Sequence, residues 1–234
     1  MNNPKQLIFP FQINQKASFE SFFCSPDNIE LMGRLADLLV SKNADELIIN
    51  GAEGSGKSFL MQAICNELSS SGKQFAFMPM NKAINMGVEI FQNLASLHTV
   101  CIDDLQLILS RKEWETALFN LINECQQSNC SLILSFGGNQ SLEEITQLPD
   151  LLSRIKRMEF MKLQAVQDEC LNQALDFVSQ QLGINLEKAE LEFLLNHQTR
   201  EFSLLVENII SLDRQAASLK RKITIPFIKE TLNL

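Results

Sequence analysis

Residues 47–58 read Leu47-Ile48-Ile49-Asn50-Gly51-Ala52-Glu53-Gly54-Ser55-Gly56-Lys57-Ser58, and this stretch decides the fold. From Gly51 onward it satisfies the pattern G-x-x-x-x-G-K-[ST] at every fixed position. An apolar run of strand type precedes the glycines, and residues with helical spacing begin near Lys57. A strand, a glycine-rich loop and a helix in this order predict a P-loop.

The residue types of this loop suit a bound polyphosphate. Glycines let backbone N–H groups curl around phosphates, and the amino end of the helix adds partial positive charge. We expect Lys57 to reach the β- and γ-phosphates and the Ser58 hydroxyl to bind Mg²⁺. The predicted cofactors are therefore ADP or ATP with Mg²⁺. The predicted nucleotide-binding residues in this stretch are Gly51, Gly54, Ser55, Gly56, Lys57, Ser58 and Phe59.

A second acidic element follows the run Val100-Cys101-Ile102. Ligands of open α/β sheets bind at the carboxyl ends of the strands, where Asp103 would emerge. We expect Asp103 to hold Mg²⁺, partly through water, and Asp104 to orient a water molecule. The alternative is a pair of solvated aspartates after a core strand.

Apolar runs alternate with helical spacing as far as Leu163, and only helical spacing follows. The alternation predicts a parallel sheet with helices on both faces, followed by a small all-α domain. The predicted strands are Glu46–Asn50, Phe75–Met80, Thr99–Asp103, Ser131–Phe136 and Arg157–Leu163. The predicted helices of the first part are Ile29–Val40, Lys57–Ser70, Val88–His98 and Glu113–Gln127. Those of the second part are Asp168–Leu182, Leu186–His197, Glu201–Ala217 and Pro226–Leu232.

Composition narrows the class of protein. The chain has 234 residues, 20 Lys+Arg and 28 Asp+Glu, which gives a formal charge of −8. This balance weighs against a protein that wraps nucleic acid with its own surface. The six cysteines include no CxxC pair and the two histidines complete no zinc spacing, so we expect reduced thiols. With no signal peptide and no apolar run of about 18 residues, we expect a soluble protein of a reducing compartment such as the cytoplasm.

The ordered set of motifs resembles the Hda family, a group of DnaA-related AAA+ proteins, over nearly the whole chain. The resemblance implies an AAA+ P-loop NTPase domain at residues 14–163, with a five-stranded parallel sheet between helices, and a helical lid domain at residues 164–234. The P-loop marks only the superfamily, whereas the ordered set and the length point to this family. Besides the P-loop, the resemblance is carried by residues 6–11, 19–22, 101–104, 114–119, 148–154, 199–201 and 221–230.

Members of this family are nucleotide-bound regulators, typically carrying ADP, which stimulate ATP hydrolysis by the replication initiator DnaA and so prevent re-initiation. The resemblance therefore implies two partners, DnaA and the DNA-loaded beta sliding clamp of DNA polymerase III. It implies at most a weak ATPase, with DNA contacted indirectly or weakly, in the cytoplasm and at the nucleoid through the clamp. The bound nucleotide and any homo-oligomer stay open.

The resemblance also implies a clamp-binding peptide within residues 1–13, formed by Gln6, Leu7, Ile8, Phe9, Pro10 and Phe11. In such peptides a Gln hydrogen-bonds to the clamp surface, while Leu and aromatic side chains fill an apolar pocket. This chain has Ile8 where Ser or Asp is common. The alternative is a terminal strand that packs against the fold.

Two arginines match family positions. Arg154 matches the Box VII arginine, whose planar guanidinium reaches a neighbouring subunit's γ-phosphate as an arginine finger in trans. Arg157 is the nearest rival, and a plain surface arginine is the alternative. Arg200 matches the sensor 2 arginine, which reads bound phosphate and would join the nucleotide-binding residues.

One departure from the family lies after the fourth predicted strand, which reads Ser135-Phe136-Gly137-Gly138-Asn139. Related proteins place a polar sensor 1 residue there, often Asp. We expect slow hydrolysis unless Ser135 or Asn139 substitutes, which favours a nucleotide held as a structural cofactor. Two rival functions remain: an autonomous ATPase such as a helicase loader, and a DNA-binding initiator, in which we would expect an additional C-terminal DNA-binding domain.

Overall fold

A five-stranded parallel sheet forms the centre of the first part of the molecule. The computed structural model describes residues 11–138 and 140–234. The strands lie in the order β2-β3-β4-β1-β5, so β1, which leads into the P-loop, is flanked on both sides. Their bounds are β1 Glu46–Gly51, β2 Phe75–Pro79, β3 Thr99–Asp103, β4 Ser131–Phe136 and β5 Glu159–Leu163.

Helices cover both faces of the sheet and continue into the second part. In chain order they are α1 Ile29–Val40, α2 Lys57–Ser70, α3 Met80–Ala83, α4 Lys112–Ser128, α5 Leu142–Ile145, α6 Pro149–Ile155, α7 Leu171–Leu182, α8 Lys188–His197, α9 Phe202–Leu219 and α10 Ile225–Leu232. In the described part of the chain, every helix is too short or too polar to cross a lipid bilayer.

Alternation along the strands explains why both faces are filled. Successive side chains of a strand point to opposite faces. Ile48 packs with residues of α4 and α6 on one face, whereas Leu47 and Ile49 pack with residues of α1 and α2 on the other. All three are 0% exposed, and burying such a side chain contributes roughly 1.5–3 kcal/mol. An apolar core therefore lies on each face of the sheet. Together the two cores fix the positions of the carboxyl ends of β1 and β3.

The helices α7 to α10 form a lid around an apolar core of their own. Its fully buried members are Leu171, Leu175, Leu194, Leu205, Ile209, Leu212 and Ile228. At the junction, the buried side chain of Asn28 makes two hydrogen bonds to the backbone of Gln164, through its amide nitrogen at 3.0 Å and its amide oxygen at 2.9 Å. This pair ties the start of the lid to the residue that precedes α1.

The fold class expected from the sequence is confirmed: a parallel sheet between helices, followed by an all-α lid. The predicted bounds of α1, α2, β3 and β4 are those of the structure, and the other strands differ by one or two residues. The short helices α3, α5 and α6 were not expected, because each is too short to show a helical period. The boundaries proposed between the domains stay a prediction.

The helix predicted at Val88–His98 is wrong. This segment forms two 3₁₀ turns, Val88–Phe91 and Leu94–Ser96. Gln92 has an extended backbone, and Asn93 lies in the left-handed region with φ 63°. One left-handed residue after an extended one interrupts the helical hydrogen bonds, although the apolar residues on either side still reach the core.

Candidate nucleotide-binding site

The P-loop leaves the carboxyl end of β1 and enters α2 through two residues that require glycine. Gly54 has φ +72° and Gly56 has φ +100°, both in the left-handed region that other residues adopt at a cost of roughly 1–2 kcal/mol. Gly56 is the N-cap of α2, and no side chain caps this helix. The free N–H groups of its first turn therefore point into the loop, as a phosphate site requires.

Lys57 lies inside the loop and not in solvent. It is 7% exposed, and its Nζ donates to the carbonyl oxygens of Gly51 at 2.8 Å and Ala52 at 2.7 Å. Burial lowers the pKa of Lys57, and the charges of Asp104, Asp103 and Glu53, in that order, oppose the change. The ammonium is thus held at the centre of the loop, beside acidic groups that favour its charged form.

Asp103 is the buried acid at the carboxyl end of β3, where the sequence placed it. It is 2% exposed, and its Oδ1 accepts a short hydrogen bond from the Ser135 hydroxyl. Burial raises the pKa of Asp103, while hydrogen bonds from Ser135 and Ser58 lower it. The side chains of Ser58 and Asp103 are therefore neighbours, and their oxygens are the donors that Mg²⁺ prefers. These two residues could hold the metal ion.

Asp104, directly after β3, has a left-handed backbone with φ 62°. Its N–H donates to the Ser135 hydroxyl at 2.9 Å, and its Oδ1 accepts from Nε2 of Gln106 at 3.0 Å. Oε1 of Gln106 accepts from the N–H of Gly137 at 3.1 Å. Gln106 thus fixes the Asp104 carboxylate and links it to the loop after β4.

The expected sensor 1 position lies in the segment that begins at Ser135, near the end of β4. The Ser135 hydroxyl donates to the Asp103 carboxylate and accepts from the backbone N–H of Asp104, so both aspartates already use it. Gly137 follows, and a β-carbon there would lie 2.7 Å from Nζ of Lys57. Asn139, the other substitute considered from the sequence, lies outside the described residues. Ser135 therefore positions the two aspartates, and the glycine makes room for the lysine.

An unsatisfied polar atom supports the fit of this loop to a ligand. Among the described residues, the buried Oγ of Ser55 has no hydrogen-bond partner. A buried hydroxyl without a partner costs about 1–3 kcal/mol. A polyphosphate between the glycines would supply acceptors for Ser55, for Lys57 and for the uncapped N–H groups of α2. The residues present therefore fit a nucleotide with Mg²⁺.

Aromatic residues before α1 connect the P-loop to the lid. A β-carbon on Gly56 would lie 2.9 Å from Cε2 of Phe22, and the Phe22 ring is 6.1 Å from that of Phe59 between centroids. The ring of Phe23 lies 5.8 Å from that of Phe177 in α7. Phe59 is therefore close to the loop, through an aromatic partner that the P-loop pattern did not reveal.

The lid touches the P-loop at the start of α9. A β-carbon on Gly54 would lie 2.7 Å from Oγ of Ser203 and 3.2 Å from Oε1 of Glu201. The neighbouring Arg200 is turned to another partner, with its Nε 3.5 Å from Oδ2 of Asp168. Both side chains of that pair are more than half exposed. The side chains of Glu201 and Ser203 thus approach the loop, whereas the Arg200 guanidinium pairs with Asp168, which precedes α7.

Arg154 lies at the other end of the sheet. Its Nη1 donates to Oε1 of Gln126 at 3.3 Å, and Nε2 of Gln126 donates to Oε2 of Glu46 at 3.2 Å. Glu46 is the first residue of β1, whereas the P-loop follows its last. A six-residue strand spans about 17 Å. The structure therefore separates Arg154 from this chain's own P-loop by the length of the sheet.

The predicted clamp peptide falls mostly outside the described residues, which exclude Gln6, Leu7, Ile8, Phe9 and Pro10. Phe11 is described; it is half-buried and packs against the core on the α4 face. Sequence reasoning missed Gln106, Gln126 and Asp168 as partners of predicted site residues. No local pattern marks them, because each acts through a tertiary contact.

Two family models match the chain. The bacterial DnaA ATPase domain matches residues 13–160, and the Hda lid domain matches residues 168–232.

Solved structures agree with this fold. Domain III of the replication initiation protein DnaA from Thermotoga maritima has a TM-score of 0.79 at 18% identity, over 95% of this chain and 98% of that one. AMPPCP-bound DnaA from Aquifex aeolicus has a TM-score of 0.72 at 18% identity, over 87% and 67%. The RuvB Holliday junction branch migration motor from Thermotoga maritima has a TM-score of 0.65 at 16% identity, over 93% of this chain and 71% of that one. With an ATPase-domain match over more than half its length and an Hda-type lid behind it, the chain belongs to the DnaA-related AAA+ proteins of the Hda family.

Proposed function

We propose that this protein is a negative regulator of chromosomal replication initiation. It holds ADP or ATP with Mg²⁺ as a structural cofactor, docks on the beta sliding clamp of DNA polymerase III, and stimulates hydrolysis of DnaA-bound ATP. Arg154 is the arginine finger that acts on the ATP of DnaA. The product is ADP-bound DnaA, which no longer initiates.

The single observation that carries this proposal is the position of Arg154. Its hydrogen-bond partner Gln126 is linked to the first residue of β1, whereas the P-loop begins at the last. At that separation the guanidinium serves a nucleotide held by another molecule. A finger that reaches a partner's γ-phosphate stabilises charge in the transition state and raises rates by about 10³–10⁵ in comparable systems.

The nucleotide of this chain has a different task in the proposal. Lys57, Ser55 and the first turn of α2 bind the phosphates, and Ser58 and Asp103 hold Mg²⁺, which neutralises phosphate charge when bound. The Ser135 hydroxyl is already shared between Asp103 and the backbone of Asp104. Gly137 brings no side chain toward the phosphates. This arrangement favours a retained nucleotide over rapid turnover.

The residues 1–13 would supply clamp docking, with Gln6 to Phe11 as the peptide. Because Phe11 packs partly against the core, the stretch that enters the clamp would be Gln6 to Pro10. Deleting residues 1–10 keeps Phe11 in place. We expect this deletion to abolish clamp binding while nucleotide binding is unchanged, measured by surface plasmon resonance and calorimetry.

A reconstituted assay tests the whole proposal. DnaA-ATP, DNA-loaded clamp and this protein should release phosphate only when all three are present. We expect Arg154→Ala to lower the maximal rate by about 10³-fold. Arg157→Ala is the matched control, since Arg157 is exposed three residues further along and should retain wild-type stimulation. A folded Arg154→Ala protein that stimulates normally would refute the mechanism.

A second candidate function is an autonomous ATPase such as a helicase loader. The hydrogen bond from Gln106 that fixes the Asp104 carboxylate favours it, because such an acid could orient an attacking water. This function predicts turnover by the isolated protein that disappears in Asp104→Asn. Absence of turnover by the isolated protein would exclude this function, and turnover that survives in Asp104→Asn would exclude the role of Asp104.

A further inference from the structure

Arg154 extends from a helix that is firmly packed. Ile155, its neighbour in α6, is 0% exposed in the same core as Cys125 of α4, also 0% exposed. The backbones of both helices are therefore fixed by apolar contacts. The long Arg154 side chain itself is only half-buried. An arginine side chain loses up to about 2 kcal/mol of conformational entropy when it is ordered.

Gln126 removes part of that freedom before a partner arrives. Its Oε1 accepts from Nη1 of Arg154 at 3.3 Å, and its Nε2 donates to Oε2 of Glu46 at 3.2 Å. A side-chain amide accepts through its oxygen and donates through its nitrogen, so Gln126 can bind Arg154 and Glu46 at the same time. Glu46 is the first residue of β1; its Oε1 is buried and has no hydrogen-bond partner among the described residues, so the backbone of the strand holds the outer end of these hydrogen-bonded side chains.

We propose that Gln126 is the positioning residue of the arginine finger, holding the Arg154 guanidinium toward the triphosphate of a partner molecule. This inference rests on the function proposed above and concerns the rate at which DnaA hydrolyses ATP when this protein stimulates it. A neutral amide suits the task. A carboxylate in its place would form an ion pair with Arg154 and compete with the phosphate for the guanidinium.

Gln126 acts on the bound complex and not on complex formation. An ordered guanidinium lowers the entropy cost of reaching the transition state, whereas docking depends on the remaining surface. Removing the amide should therefore lower the maximal stimulated rate and leave the half-saturating concentration of this protein unchanged. One weak hydrogen bond at the surface corresponds to about a three- to ten-fold change in rate.

The experiment measures phosphate release from DnaA-ATP with DNA-loaded clamp, as a function of the concentration of this protein. We expect Gln126→Ala to lower the maximal rate about three- to ten-fold at unchanged half-saturation and unchanged urea midpoint. Gln126→Met, which keeps most of the volume but not the amide, should be equally slow. Gln127→Ala is the control, because within the described residues the exposed Gln127 side chain has no hydrogen-bond partner, and it should match wild type.

Measurements in the Arg154→Ala background distinguish the positioning role of Gln126 from the proposed function on which it rests. If Gln126 acts through Arg154, adding Gln126→Ala to Arg154→Ala lowers the rate no further. A Gln126→Ala protein as fast as Gln127→Ala, or a further loss in the Arg154→Ala background, overturns the positioning role alone. A normal rate for Arg154→Ala overturns the proposed function and the positioning role together.

Discussion

The Ser203 hydroxyl of the lid lies 2.7 Å from the place where a β-carbon on Gly54 would stand. Gly54 is the middle glycine of the P-loop, and Ser203 belongs to the first turn of α9. The lid therefore rests on the phosphate loop itself, at a point where even one methyl group would force the two apart.

We expect Gly54→Ala to weaken ADP binding at least about ten-fold, which corresponds to about 1.4 kcal/mol. The alanine would be strained at φ +72° and would collide with Ser203. Adding Ser203→Gly removes the collision but not the strain, so it should restore part of the loss. Calorimetric titration with ADP and Mg²⁺ measures both, and equal affinity of Gly54→Ala and wild type would contradict the contact.

Asp168 competes with phosphate for Arg200 if Arg200 is the sensor 2 residue. Their pair is exposed, and such pairs are worth roughly 0.2–1 kcal/mol. Asp168→Asn frees the guanidinium, so we expect ADP affinity to rise up to about five-fold. In an Arg200→Ala background the same change should have no effect. An identical gain in both backgrounds would show that Asp168 acts without Arg200.

The charge of Asp103 destabilises the protein when Mg²⁺ and nucleotide are removed. Burial raises its pKa above 3.8, so the folded state binds its proton more tightly than the unfolded state. The free energy of unfolding should fall as pH rises from 3.8 through the folded pKa. Asp103→Asn lacks this charge and should gain stability over wild type across that interval. Urea unfolding of both proteins in EDTA at several pH values measures this difference. If the stability gain of Asp103→Asn over wild type shrinks as pH rises, the predicted effect of the Asp103 charge has the wrong sign.

Gly137 should be required for nucleotide binding. A β-carbon there would lie 2.7 Å from Nζ of Lys57 and 2.9 Å from the carbonyl oxygen of Gly51. Gly137→Ala therefore displaces the ammonium, and we expect ADP affinity to fall about ten-fold or more. The control is Gly33→Ala in α1, where a β-carbon meets nothing within 4 Å. Binding of ADP by Gly137→Ala as tight as by the control would show that Lys57 relocates freely.

Local patterns predicted the P-loop and the strands that carry it, because glycine conformations, the helix start and apolar alternation are encoded within a few residues. Asp103 could be placed for the same reason, since it directly follows a buried strand. The failure at Val88–His98 is also local: Asn93 adopts a left-handed conformation that a hydrophobic period does not reveal.

Contacts between distant residues could not be predicted. Gln126 and Glu46 are 80 residues apart, and Ser203 follows Gly54 by almost 150 residues in the sequence. Each pair meets because the sheet order and the lid place it together, and a single sequence records neither. The motif singled out Arg154 as a candidate, and this assignment stays a prediction. Its distance from the P-loop became visible only from the hydrogen bonds that link Arg154 to the first residue of β1.

Arg154 and the P-loop lie at opposite ends of the sheet, so the two ends of the molecule differ in the groups that they offer to a partner. If Arg154 is the finger of the proposed function, a copy that offers Arg154 at one end holds its own nucleotide at the other, so contacts of this kind would be heterologous and would continue as a ring or a filament. A two-fold dimer closed over the Arg154 end would instead bury both fingers. In the proposed function, self-association of that second kind would therefore keep Arg154 away from DnaA, and the stimulation by each molecule would fall as the concentration of this protein rises.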